Sequence, residues 1–471
     1  MNIEEFRKNA HETIDWMADY FKNIEDYPVR SKSSPGETYD QIPSSPPEKG
    51  ELFKDLIGDL DKIIMPGITH WQSPSFFAYF NANNSFPSIL AEMITATLGA
   101  QCMSWQTSPA ATELEEMVMK WLAEMLNLPG DFHGVIQDTA STATLCSILT
   151  AREKLSGFKV NSKGFSGNRK FTAYCSSEAH SSIDKAIRIA GIGSDNLRKI
   201  DVDENYAMDP EKLEKTIKND INKGFTPLIV IAAFGTTGST AVDPVKNIGE
   251  ISEKYNLWFH IDAAYAGTAL ILPENRWMIA GIESADTFVF NPHKWMFTNF
   301  DCSAYFVKDK DALLRTFSIL PEYLKTKEGD RVNNYRDWGI ALGRRFRALK
   351  LWFVIRSFGV KGLQQKIREH IRWADNLKEK IENSDDFEIM APVLFATVCF
   401  RYKPSEKNDT DELNKLNEQL LEKLNSSGKL YLTHTKLNNI YTIRFVVGQT
   451  YQEEHHILNA WDLIKKTAKE I

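Results

Sequence analysis

The apolar run Thr287-Phe288-Val289-Phe290 closes on Asn291-Pro292-His293-Lys294-Trp295, which sets one amine at the mouth of a buried strand. A lysine there can form a Schiff base with an aldehyde. Earlier in the chain, Leu257-Trp258-Phe259-His260-Ile261 ends at Asp262-Ala263-Ala264-Tyr265-Ala266-Gly267, which sets a carboxylate at the mouth of another buried strand. An amine for the aldehyde and an aspartate for the pyridinium nitrogen are the two protein groups that pyridoxal 5'-phosphate (PLP) needs.

The surrounding pattern says what must position these two groups. From about Pro87 to Arg356, helical segments alternate with short apolar runs at Lys170–Cys175, Pro227–Phe234, Leu257–Ile261, Thr287–Phe290 and Cys302–Val307. That alternation predicts an α/β fold with a mainly parallel sheet covered by helices. In such sheets ligands lie outside the carboxyl ends of the strands, where Asp262 and Lys294 fall. After Arg356 come long charged helices, Gln364–Asn383 and Thr410–Leu424, with strands at Thr397–Tyr402 and Tyr441–Val447, which predicts a smaller α+β domain. At the other end, Phe6, Ala10, Ile14, Met17, Phe21 and Ile24 recur at three- and four-residue steps, the mark of an amphipathic helix. The proline-rich stretch Tyr27–Gly50 then reads as an extended surface connection.

Three further constellations bear on the same chemistry. Gln137-Asp138-Thr139-Ala140-Ser141-Thr142 opens the helical segment Ala143–Lys154. Hydroxyls there cap free backbone N–H groups, and the same end attracts phosphate. Taken alone, such a stretch is more often an ordinary Ser/Thr cap. Phe234-Gly235-Thr236-Thr237-Gly238-Ser239-Thr240 is a Gly/Thr turn directly after a buried strand, and by itself it is more often a plain strand-to-loop transition. His180 lies between the strand ending near Cys175 and the amphipathic segment Ile183–Ala190. A loop histidine is usually a surface residue, yet its ring is suited to stack on a heteroaromatic cofactor. Arg344, Arg345 and Arg347, beside Phe346, Leu349 and Phe353 on one helical face, read as a solvated or dimer-facing helix edge.

Composition narrows the alternatives. At 471 residues the chain has room for about three domains of roughly 150 residues. A net charge of -7 argues against nucleic acid as a partner, because backbone recognition needs a concentrated basic face. The cysteines Cys102, Cys146, Cys175, Cys302 and Cys399 form neither a CxxC pair nor a Cys/His cluster. No metal site or disulfide framework is expected, and a reducing, cytoplasmic location fits. The N-terminus lacks an apolar signal core and no apolar run approaches a membrane span, so no membrane partner is expected either.

Several motifs, in order along nearly the whole chain, resemble the group II PLP-dependent decarboxylases, specifically the aromatic-L-amino-acid decarboxylase family. They are His70-Trp71-Gln72-Ser73-Pro74, Ser108-Pro109-Ala110-Ala111-Thr112-Glu113-Leu114-Glu115, Glu178-Ala179-His180-Ser181-Ser182, His260 through Gly267, Asn291 through Trp295, Asn299-Phe300-Asp301-Cys302-Ser303-Ala304, and Leu342-Gly343-Arg344-Arg345-Phe346. The Ala-Tyr-Ala-Gly and His-Lys-Trp forms are closer to the aromatic branch than to the glutamate branch. The resemblance implies a fold type I PLP enzyme with a seven-stranded-type sheet, working as a homodimer. It further implies a helical N-terminal arm over residues 1–85, a large PLP-binding domain over 86–356 and a small α+β domain over 357–471.

By the same resemblance, Lys294 matches the Schiff-base lysine, Asp262 the partner of the pyridine nitrogen, and His180 the stacking ring. Ala264 matches the opposite cofactor face, Ala140, Ser141 and Asn291 the phosphate contacts, and Thr237 a further cofactor contact. His293 could assist proton traffic, and Tyr323 matches the residue that returns a proton to the substrate's Cα, followed by a lid-like segment at Thr326–Asn334. The substrate pocket would comprise Trp71, Tyr79, Phe80, Ala82, Gln101 and Met103. Two departures stand out: Asn81-Ala82 where many members have Pro-Thr, and Gln101-Cys102-Met103 where animal members have Ile-Gly-Phe. The expected activity is decarboxylation of an aromatic L-amino acid (tryptophan, tyrosine, phenylalanine or a hydroxylated derivative) to its amine. Alternatives are an aromatic aldehyde synthase, a histidine decarboxylase, or a catalytically silent PLP-binding scaffold. Tyr323 and His180 favour the decarboxylase over the synthase, which usually carries Phe or Asn at those positions.

Overall fold

The structure is a computed structural model and describes residues 1–165, 170–319 and 331–471. The chain divides into two compact units, one of residues 82–375 with 391–398, the other of residues 1–81, 376–390 and 399–471.

Helix α1 (Ile3–Lys22) starts where Asn2 accepts the N–H groups of Glu4 and Glu5 at 3.0 and 2.9 Å, while the Glu5 carboxylate accepts the Asn2 N–H at 2.7 Å. This reciprocal cap satisfies donors that the first helical turn would leave open. Ile3, Phe6 and Ile14 remain exposed on it. Then follow α2 (Phe86–Leu98), α3 (Pro109–Leu126), α4 (Ala140–Leu155), α5 (Ser182–Ile189) and α6 (Arg347–Glu382), the last interrupted at Gly359, whose φ of +65° lies outside the helical range. Helices α7 (Thr410–Ser426) and α8 (Glu454–Ala468) close the chain.

The large unit is built on seven strands: β1 (His133–Gln137), β2 (Phe171–Ser176), β3 (Leu197–Ile200), β4 (Thr226–Ala233), β5 (Trp258–Asp262), β6 (Thr287–Phe290) and β7 (Ser303–Val307). Their spatial order is β1-β7-β6-β5-β4-β2-β3. All neighbours run parallel except at β7, which is antiparallel to both β1 and β6. Every residue of β2, β6 and β7 is buried, as expected where helices cover both faces and the apolar run need not alternate. Helix α4 packs along β4 to β7. Between them a hydrogen-bonded chain of side chains links Trp258, Ser147, Thr287, His260 and Thr144 at 2.8–3.0 Å. A four-stranded sheet, mainly of the other unit, has the order β10-β11-β9-β8, from β8 (Phe387–Ile389), β9 (Thr397–Tyr402), β10 (Thr433–Leu437) and β11 (Ile440–Val446).

The arginine cluster departs from the expected helix edge. Helix α6 begins only at Arg347, and Arg344 is buried, donating to both Glu115 carboxylate oxygens at 2.7 and 3.1 Å and to the Ile136 carbonyl at 2.8 Å. Arg347 pairs with Asp301 at 2.9 and 3.1 Å. Solvation holds for Arg345 alone, which is exposed and paired with Glu92. The partner of Arg344 lies 229 residues away, so local spacing carries no sign of it.

Candidate active site

Parallel pairing of β5 with β6 places Asp262 opposite Val289, and the chains leaving both strands stay joined by successive hydrogen bonds. The Asp262 carboxylate accepts the Ala264 N–H at 3.1 Å, the Ala264 carbonyl accepts the Asn291 N–H at 3.0 Å, and the Asn291 carbonyl accepts the Lys294 N–H at 2.9 Å. A run of three bonds therefore fixes the carboxylate relative to the lysine's backbone. The Asn291 side-chain oxygen accepts the Ser303 hydroxyl at 2.7 Å, which orients its carboxamide.

The lysine turn is held from below as well. Asn83 donates its backbone N–H to the His293 carbonyl at 3.1 Å and its side-chain amide to the Lys294 carbonyl. Ser85 donates to the Phe297 carbonyl at 2.7 Å. Trp295 lies parallel to Tyr265, ring centres 4.8 Å apart, and donates its indole N–H to His370 Nδ1 at 3.0 Å. His293 is buried, and its Nδ1 accepts the Cys302 N–H at 2.9 Å, which leaves the ring proton on Nε2. Burial, helped by the neighbouring Lys294 charge, pushes its pKa down to about 3, so it is neutral at physiological pH.

His180 follows β2 and precedes α5. Its Nδ1 lies 2.8 Å from Ser182 Oγ and accepts the Ser182 backbone N–H at 3.2 Å. Desolvation lowers its pKa, the Lys294 and Lys199 charges add to that, and Asp262 pulls the other way. The ring thus sits within the electrostatic reach of both strand-end groups. At the start of α4, Thr139 accepts the Thr142 N–H at 3.4 Å, with Ala140 buried and Ser141 exposed at the positive end of the helix. After β4, Gly235 adopts φ +91°, and a Cβ there would come 2.5 Å from the Ala266 side chain, so the turn requires glycine. The Thr236 hydroxyl accepts the Ala241 N–H at 3.1 Å, and Thr237 stands exposed between buried neighbours.

The residues expected in a substrate pocket are distributed over both units. In the smaller one, Trp71 stacks on Tyr79 at 5.6 Å, the Tyr79 and Tyr431 hydroxyls lie 3.2 Å apart, and Arg444 lies over the Phe80 ring at 5.1 Å. Ala82, Gln101 and Met103 belong to the larger. The Gln101 side-chain oxygen Oε1 accepts the Arg344 backbone N–H at 2.7 Å, so this side chain is tied to backbone. Tyr323 lies outside the described residues, as does most of Thr326–Asn334; of that segment, Asn333 donates to Glu116 at 2.7 Å and Asn334 accepts the Trp105 N–H at 3.3 Å. Sequence reasoning missed Asn83, Ser303 and Ser182. Of these, only the His-x-Ser spacing of Ser182 is a signal that could have been read.

These residues fit PLP. One Asp262 oxygen is taken by Ala264, and among the described residues the other accepts no hydrogen bond, leaving it for a ring nitrogen. A small side chain at Ala264 leaves room beside it, and an N–H-rich helix start suits a phosphate. Among the described residues no His/Cys/Asp/Glu group could hold a metal ion, and no helix is long and apolar enough to cross a membrane.

Comparison with known proteins identifies the family. The model of the pyridoxal-dependent decarboxylase conserved domain matches residues 35–403, and the chain belongs to that family, whose cofactor is pyridoxal phosphate. It is 45% identical to tyrosine decarboxylase 2 of Narcissus pseudonarcissus over 99% of this chain and 95% of that one. It is 44% identical to phenylacetaldehyde synthase of Arabidopsis thaliana over 99% of this chain and 96% of that one. The crystal structure of Catharanthus roseus tryptophan decarboxylase in complex with L-tryptophan superposes with a TM-score of 0.94 at 40% identity, covering 100% of this chain and 99% of that one.

Proposed function

We propose that the chain decarboxylates an aromatic L-amino acid to the corresponding amine. The observation that carries this reading is the hydrogen-bonded run from the Asp262 carboxylate through Ala264 and Asn291 to Lys294. Bound pyridoxal phosphate supplies a conjugated ring that takes up the electron pair left by departing carbon dioxide. Lys294 would hold its aldehyde carbon, and Asp262 would keep a proton on its ring nitrogen. The start of α4 at Ala140 and Ser141, with Asn291 and Thr237, would bind its phosphate end. His180 would lie on one ring face and Ala264 on the other. Neutral His293, its Nδ1 occupied by Cys302, offers only an Nε2–H and serves to shape the lysine turn. Tyr323 would return the proton to Cα.

Trp71, Tyr79, Phe80, Ala82, Gln101 and Met103 are proposed to define the aromatic pocket. Similarity to tyrosine and tryptophan decarboxylases supports an aromatic ring. The aldehyde synthase reading has a relative too, and Tyr323 with His180 weighs against it. The three-part division at 85/86 and 356/357 belongs to this proposal, as do a homodimer and a cytoplasmic location. A symmetric partner would cover Phe86, Leu90, Ile94 and Leu98, which are exposed along one side of α2. The five cysteines are buried and none forms a disulfide among the described residues, in keeping with a reducing compartment. The test is to incubate purified protein with a panel of aromatic amino acids and histidine while measuring amine, aldehyde, carbon dioxide and peroxide together. Stoichiometric amine and carbon dioxide from an aromatic substrate are expected; aldehyde with peroxide, amine from histidine alone, or no turnover would each replace this reading.

A further inference from the structure

We infer that Ser182 is a positioning residue that holds His180 in its neutral form, protonated on Nε2 only, and so sets the acid limit of the reaction. The inference rests on the proposed role of His180 at the cofactor face.

A backbone N–H only donates, so the Ser182 N–H at 3.2 Å makes His180 Nδ1 an acceptor. The Ser182 hydroxyl, 2.8 Å from the same nitrogen, donates to it as well. With the one lone pair of Nδ1 shared between these two donors, the single ring proton resides on Nε2. Protonating Nδ1 would point one N–H at another, break the backbone contact and force the hydroxyl to turn. The positive end of the α5 dipole also disfavours a cation at that position.

The charges around the ring come from four elements. Lys294, in the turn after β6, and Lys199 of β3 oppose a second proton, while Asp262 at the end of β5 favours one. Asp184 of α5 is paired with Lys199 at 2.8 Å and partly offsets it. Asp262 is the group that would draw His180 toward the imidazolium, and an imidazolium there would compete for the carboxylate that the pyridine nitrogen needs. The Ser182 contacts work against that competition through geometry, whether or not cofactor is present.

The test uses the full-length protein with and without cofactor. Exchange of the imidazole C2 proton, followed by mass spectrometry of the His180 peptide against pH, reads that ring's titration in the cofactor-free protein. In Ser182→Ala the midpoint is expected to rise by about 0.5–1 unit, since one hydrogen bond to the neutral form is lost. In the loaded enzyme the acid limb of kcat/KM should move up by the same amount while the alkaline plateau stays within about twofold. Ser182→Thr, which keeps the hydroxyl, should restore both. An unchanged exchange midpoint in Ser182→Ala overturns the inference. So does a moved midpoint with an unmoved acid limb, or failure of threonine to restore it. The His180 reading is checked separately: wild-type turnover by His180→Gln would reject that reading, whereas the exchange midpoint would still report on the Ser182 contacts.

Discussion

Two residues apart on β5, the same sheet carries a closed polar layer and an open one. His260 is fully buried, with Thr144 at 3.0 Å on Nε2 and Thr287 at 2.9 Å on Nδ1, so both ring nitrogens are used. Asp262, at the strand end, has one oxygen on Ala264 and the other without a hydrogen bond among the described residues. The His260 ring has a complete partner set, as favoured where an unpaired buried group costs roughly 1–3 kcal/mol. Asp262 at the strand mouth can stay incomplete because the proposed cofactor would complete it. What separates His260 from Asp262 is thus the state of their hydrogen bonds, two residues apart on one strand.

The open layer should fail catalytically without unfolding. Lys294→Ala is expected to lower turnover by at least ~10³-fold while the melting temperature of the cofactor-free protein stays near that of the parent. Borohydride should attach cofactor to the Lys294 peptide of the parent, and peptide mapping that finds the label elsewhere would reject the assignment. Asp262→Ala should retain some cofactor yet lose roughly 10²–10³-fold in kcat; near-parental kcat would mean its open oxygen serves no ring nitrogen. Tyr323→Phe should continue to release carbon dioxide while consuming dioxygen, with aldehyde, ammonia and hydrogen peroxide in place of amine. Amine at the parental rate without peroxide would remove Tyr323 as the proton source.

The closed layer should fail in the opposite manner. Thr144→Val leaves a buried His260 nitrogen without its partner and should cost about 1–3 kcal/mol of stability, read by denaturant unfolding, with kcat changed only a few-fold. Burial depresses the folded pKa of His260 to about 4, and those of His293 and His370 to about 3. The unfolded chain therefore binds more protons as pH falls below the ordinary histidine value of about 6.5. Stability should be full above that value and decline from there down to about pH 3. A melting temperature flat between pH 6.5 and 4 would show that these rings are not held neutral. The smallest effect is expected at Gln101→Ile with Met103→Phe: a shift of about tenfold in ring preference, measured as a ratio of kcat/KM values. An unchanged substrate ranking would place both residues outside the pocket.

Much of the open layer is legible from sequence because local signals mark it. A fully apolar run that stops at Asn291-Pro292 announces a strand end, and the same holds at Asp262. Strands β1 and β3 escape notice for a physical reason. In β1 only Val135 and Ile136 are buried, and in β3 only Ile200, so neither presents an apolar run. Arg344 is misread because its salt bridge joins residues far apart in sequence, and a charged residue near a helix normally means a solvated face. The chain of hydrogen bonds around His260 and the Ser182 contact to His180 depend on which atoms face each other, which residue order does not specify.

That buried arginine has one more consequence. Strand β1 forms one border of the seven-stranded sheet, and a border strand offers unpaired N–H and C=O groups as a template for foreign chains. At Ile136 both groups are already occupied: the N–H donates to Glu115 at 2.9 Å, and the carbonyl accepts from Arg344 at 2.8 Å. A carboxylate and a guanidinium stand where the backbone of an eighth strand would otherwise dock. Removing either side chain would reopen that seam, and the resulting hazard is growth of the sheet from molecule to molecule, ahead of any loss of chemistry.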